Sequence, residues 1–154
     1  MKKLIYDLLQ WTWGMPQTLI GAGVYLKHMN DPHYDYRGAR VTEWDRRDGL
    51  SLGKFVFVPA RDNTDDGVGE DTGMGISSGD GAYDRFLLDH EYGHTIQSII
   101  LGPSYLFLVG LPSMIWNRSG FFARKRAKTG RSYYSAVFER TASELGERGR
   151  SSET

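Results

Sequence analysis

The chain has 154 residues, 40% of them hydrophobic and 25% charged, with no cysteine and a formal net charge of zero. This size and mix fit one globular domain with a single core. A pI near 6.9 excludes an overall field that would gather nucleic acid, and the lack of cysteine excludes disulfides, thiolate metal sites and thiol nucleophiles.

Residues 1–30 read as an apolar helical segment in which Gly14, Pro16, Gly21 and Gly23 loosen the second half. Lys2 and Lys3 precede this run as they would in a signal peptide. However, Gln10, Trp11 and Trp13 interrupt it and no small-residue cleavage site follows, so a cytoplasmic or membrane-associated location is expected. Two uncharged stretches, residues 8–26 and 95–117, approach the roughly 20 apolar residues that a membrane crossing needs. Pro16 with Gln17 breaks the first, and Gly102-Pro103 with Gly110 and Pro112 breaks the second, so both are expected in the core or against a membrane surface. Trp11, Trp13 and Trp116 flank them and suit either setting.

After a turn-rich stretch containing His28 and His33, "ARVTEW" (39–44) and "LSLGKFVFV" (50–58) predict two strands joined as a hairpin at Asp48-Gly49. In the second strand Phe55 and Phe57 share one face and Val56 and Val58 the other, which predicts a strand covered on both sides. Residues 61–81 are acidic and glycine-rich and predict a loop. The loop opens like a calcium site, but Gly73 stands where the closing glutamate belongs. Asp80 then caps a helix predicted from about Ala82 to Gly102-Pro103. Arg118, Arg124, Lys125, Arg126, Lys128 and Arg131 form one basic cluster. A final helix is predicted over about 133–145, closing a single domain over 1–146, with residues 147–154 a disordered tail.

The chemistry concentrates in "HEYGH", residues 90–94. On a helix, residues i and i+4 lie on one face a turn apart, so His90 and His94 can aim their imidazoles at one metal ion. Glu91 is rotated about 100° from His90, beside that ion, where it suits a proton acceptor rather than a ligand. Gly93 keeps one side of the helix bare, so that a strand or a substrate backbone could approach. Gln97 lies near the same face and could hydrogen-bond a ligand or simply join two helices. Glu139 is the expected third ligand. The small residues Ala142 and Ser143 share its helical face, whereas the rival Glu144 lies off it. His28 and His33 have no matching ligand spacing and read as loop histidines.

These residues resemble the zincin metallopeptidases, and within them the gluzincin branch, whose His-Glu-x-x-His pattern stands here as His90-Glu91-Tyr92-Gly93-His94. The resemblance covers about residues 82–146. It implies an α+β fold in which the motif helix packs against a second ligand-bearing helix and a small hairpin or antiparallel sheet, with the strand at 51–58 as the substrate's edge strand. It also implies a Zn²⁺ cofactor, a peptide or protein substrate, and hydrolysis by a zinc-activated water with Glu91 as general base. The branch's Glu-x-x-Ala-Asp pattern maps onto Glu139, Ala142 and position 143, where Ser143 replaces the aspartate and could make one hydrogen bond. Tyr133 or Tyr134 could supply a phenol to the transition-state oxyanion. The alternative expectation, prompted by Ser143 and the small size, is a zincin-like protein that binds metal or a partner without turnover. A further one adds docking of residues 8–26 and 95–117 to a membrane surface.

Overall fold

The segment predicted as one amino-terminal helix is two helices, α1 (Lys3–Thr12) and α2 (Met15–Lys27), with the break at Trp13-Gly14. The physical reason is local: Pro16 fits the first turn of a helix but not its interior, so a new helix starts there. The computed structural model describes residues 3–46, 48–60, 82–118 and 136–151. The acidic loop at 61–81, the Asp80 cap, most of the basic cluster, Tyr133 and Tyr134 lie outside the described residues.

Four strands follow, β1 (His33–Tyr36), β2 (Ala39–Trp44), β3 (Leu50–Leu52) and β4 (Phe55–Pro59), in the sheet order β1-β2-β4-β3. The predicted hairpin between 39–44 and 50–58 is corrected, because β2 and β4 run parallel, with Val41 opposite Val56. The two antiparallel pairs are β1 with β2 and β3 with β4, so the sheet is mixed. Burial explains the rearrangement. All five residues of β4 are buried, which demands a central place, whereas the three-residue β3 with half-exposed Leu50 and Leu52 suits an edge. Gly53, at φ +60°, makes the two-residue turn that brings β4 back between β3 and β2.

Both faces of β4 are covered, as its run of alternating Phe and Val predicts. Phe55 and Phe57 join Trp44 under Ala22, Val24 and Tyr25 of α2. Val56 and Val58 join Val41, Tyr6 of α1 and Tyr92 of α3 (Ala82–Leu101). Burying a side chain such as Phe57 completely contributes about 1.5–3 kcal/mol.

Beyond α3 the chain bends through a 3₁₀ turn (Gly102–Ser104) and a widened π turn (Leu106–Gly110) into α4 (Leu111–Arg118). Gly102 takes φ +55° at this corner. The last helix, α5, spans Val137–Ser151 and so runs through most of the expected tail. Contact with α3 explains the extension, since Gly146 lies so close to Asp89 that an added Cβ would come within 2.0 Å of its carbonyl oxygen. The molecule is therefore α+β, with α3 between the sheet and α5. Among the described residues no single helix is long and apolar enough to cross a membrane. Arg85–Ser104 with Leu106–Ile115, bent by 118°, reach that length and composition only as a pair.

Candidate metal centre

Helix α3 is unusual in what it buries: Asp89, His90, Glu91, His94, Thr95, Gln97 and Ser98 are all buried. Ionisable groups out of water are costly unless paired, and such clusters concentrate where chemistry is done. The pairing comes from α5. The helices meet at Gly93, where a Cβ would fall 1.8 Å from the Ala142 carbonyl oxygen, so the bare side of α3 admits α5 rather than a strand or a substrate. This contact brings the wholly buried Glu139 against the two histidines.

One carboxylate oxygen, Glu139 Oε2, lies 3.0 Å from His90 Nε2 and 3.4 Å from His94 Nε2. The outer nitrogens are engaged separately. Gln97 Nε2 donates to the Phe138 carbonyl (2.8 Å) and to Thr141 (2.7 Å), which fixes the amide so that its oxygen faces His94 Nδ1 at 2.8 Å. An amide oxygen only accepts, so His94 carries its proton on Nδ1 when neutral and leaves Nε2 free. Ser143 donates to the Glu139 carbonyl (3.3 Å), which leaves its lone pairs to accept from His90 Nδ1 at 2.9 Å. Both Nε2 atoms are thereby turned toward Glu139. Ser113 of α4 donates to the other carboxylate oxygen of Glu139.

Burial works against the charge of Glu139, yet hydrogen bonds and opposite charge from His90 and His94 outweigh it and hold the carboxyl well below the usual range. Burial likewise opposes the charge of His94. Its hydrogen bond to Glu139 and the charges of Glu139 and Glu91 turn the balance, so its imidazole is raised above the ordinary value. The cluster without metal therefore favours an ion pair.

His90, His94 and Glu139 offer one ligand atom each, all within 4.8 Å of one another. Tetrahedral ligands at about 2.0–2.1 Å from zinc stand about 3.3 Å apart, close to the 3.0 and 3.4 Å separations here. Two buried imidazoles and a buried carboxylate, with partners behind both imidazoles, form a group that could hold a metal ion.

Glu91 sits beside this group and faces a different space. Ser51 of edge strand β3 donates to its Oε2 at 2.6 Å, and Gly49 lies so close that a Cβ would fall 2.2 Å from its Oε1. Glu91 and His94 line a cleft of about 410 Å³ whose walls include Leu50, Ser51, Tyr105, Phe107, Leu111, Ser113 and Met114. His90 and Glu139 stand behind it. Tyr105 is the phenol on this cleft. It is buried and donates to the Ser51 carbonyl at 3.4 Å, and burial first, then the charges of Glu91 and Glu139, push its hydroxyl up.

Gly49, Ser51, Tyr105 and Ser113 were missed in sequence reasoning, because no spacing marks them and only the tertiary fold delivers them. Glu144 is on the surface, 3.7 Å from Arg140, and His28 pairs with Asp31 at 2.7 Å, so neither joins the cluster. His33 is exposed against Tyr25. Compared with known protein families, with curated proteins and with solved structures, the chain matches none.

Proposed function

We propose that the chain is a zinc metallopeptidase with a zincin-like site, in which His90, His94 and Glu139 hold the metal and Glu91 is the general base. The observation that carries this reading is the convergence of three buried ligand atoms beside a buried carboxylate that opens on a cleft. Zinc, when bound, would polarise the peptide carbonyl and lower the pKa of water toward neutrality. The chain's own residues do the rest. Glu91 takes a proton from water as its oxygen adds to the carbonyl carbon, then gives that proton to the amine nitrogen as the C–N bond breaks. Ser51, at 2.6 Å, fixes which way the Glu91 carboxylate points. Edge strand β3 and the apolar wall of Phe107 and Met114 hold the polypeptide in the cleft.

A metal-holding role without turnover is the second reading, favoured by the neutral Ser143 hydroxyl behind His90. The experiment that separates them begins with metal content by plasma mass spectrometry on untagged protein. One zinc per chain is expected, lost in His94→Ala and Glu139→Ala. Glu91→Gln should keep the zinc and lose about 10³-fold in peptide hydrolysis, the usual scale of general-base catalysis. Zinc without hydrolysis in the wild type would leave the second reading, and no zinc even after addition would reduce the cluster to a buried ion pair.

A further inference from the structure

The apolar surface of this molecule is concentrated. Among the described residues, every exposed large apolar side chain except Tyr34 and Val137 lies in residues 4–29 or 100–115. Leu4 and Leu8 of α1 are 81% and 61% exposed, and Phe107 and Leu108 of the π turn are 75% and 60% exposed. The two regions adjoin at the α1–α2 corner. There Gln17 donates to the Gly102 carbonyl at 3.0 Å, and Trp13 lies against Gly102 so closely that a Cβ would meet its ring at 2.3 Å. Monomeric soluble proteins rarely expose contiguous apolar patches beyond a few hundred Å².

Charge is segregated along with it. Residues 8–26 and 95–117 contain no Asp, Glu, Lys or Arg. From Thr95 to Phe138 the sequence has no acidic residue at all, while Arg118 ends α4 and Arg124, Lys125, Arg126, Lys128 and Arg131 come after it in the sequence. An apolar segment that carries no acid from Thr95 to Phe138 and continues along the chain into a basic stretch complements an anionic bilayer, whose acyl region takes the apolar side chains and whose headgroups attract the cations.

We propose that the exposed apolar faces of 4–29 and 100–115 form one docking surface for an anionic phospholipid membrane. Phe107, Leu111 and Met114 belong both to this surface and to the cleft wall, so the docked molecule draws its polypeptide from a protein held at the membrane. That last step rests on the peptidase reading, whereas the docking does not.

The test is flotation of the full chain with phosphatidylcholine vesicles, with and without phosphatidylglycerol, in the absence of any peptide substrate. Wild type should float with the anionic vesicles, less in high salt and less with phosphatidylcholine alone. The double variant Leu8→Glu/Leu108→Glu should bind at least about 100-fold more weakly, having lost two buried leucines and gained two charges. Because a variant can misfold, tryptophan quenching in the wild type by brominated phosphatidylglycerol gives a second readout, with Trp11 and Trp13 on the exposed face. Wild type that stays at the bottom with both vesicle types, unquenched, overturns the proposal, as does self-association without flotation. Salt-insensitive binding equal on both vesicles overturns the anionic preference. Since flotation is read without turnover, its failure and the failure of the peptidase reading are separate results.

Discussion

Along α3, His90, Glu91, His94 and Gln97 are buried, whereas along α1 and α2 Leu4, Leu8, Trp11, Leu19 and Leu26 are exposed. A folded chain ordinarily places these residue types the other way round. The inner region tolerates its polar content because each polar atom at the ligand cluster has a partner held by a second element: Glu139, Ser143 and Thr141 from α5, Ser113 from α4 and Ser51 from β3. Among the described residues, the apolar side chains of the outer region face outward from helices that pack on the sheet and on the 3₁₀ turn by their other sides. Buried polarity and exposed apolarity are both costly, and the proposed metal ion at the first and the proposed lipid surface at the second would each offset that cost.

The largest expected effect attacks the inner region's geometry. Helix propensity alone would make Gly93→Ala stabilising by up to about 1 kcal/mol. The 1.8 Å approach of a Cβ to the Ala142 carbonyl oxygen predicts the opposite, because backbone cannot give way as a flexible side chain can. A loss of about 3 kcal/mol is expected in a denaturant titration, with metal binding lost in the same variant. A stabilised Gly93→Ala that kept its metal would show that α5 does not sit on α3 as described.

A second effect separates the ion pair from the metal site by pH. The His94 shift is upward, so its contribution is complete below about pH 6.5 and is lost as pH rises through the raised folded value. The Glu139 shift is downward, so its contribution is complete above about pH 4.5 and is lost as pH falls through the depressed folded value. Metal-free protein should therefore draw most stability from this pair between about pH 4.5 and 6.5. Zinc requires His94 to give up its proton, so the rise in Tm on adding zinc should grow from pH 6 to pH 8. A zinc-induced rise that is flat over that range would mean that the metal does not use His94.

The smallest effect concerns Ser143, whose hydroxyl meets His90 Nδ1 and the Glu139 backbone carbonyl. Ser143→Ala should weaken zinc about tenfold in competition with a chromophoric chelator, while fold stability changes little. An unchanged affinity would show that His90 needs no partner on its outer nitrogen.

Much of the fold's local grammar was legible in the sequence. The helix over Ala82–Leu101 was bounded by Gly102-Pro103, and the Phe/Val alternation of β4 announced a strand covered on both sides. The strand partners were not legible, because pairing depends on which strand reaches the centre of the sheet, and burial rather than order along the chain decided that. The stop after Thr12 and the continuation of α5 to Ser151 likewise turned on Pro16 and on contact with Asp89.

What the sequence determined by itself is what a helix or strand period determines: the four-residue spacing that sets His90 and His94 on one face with Glu91 beside them, and the two faces of β4. The shared face of Glu139, Ala142 and Ser143 also singled out one carboxylate, but only tertiary structure brings it to those histidines, sets Ser113 on it, and encloses Glu91 with Gly49 and Ser51. Those contacts join residues tens of positions apart, and the ones between α3 and α5 depend on Gly93 and Gly146, which let the two helices touch backbone to backbone.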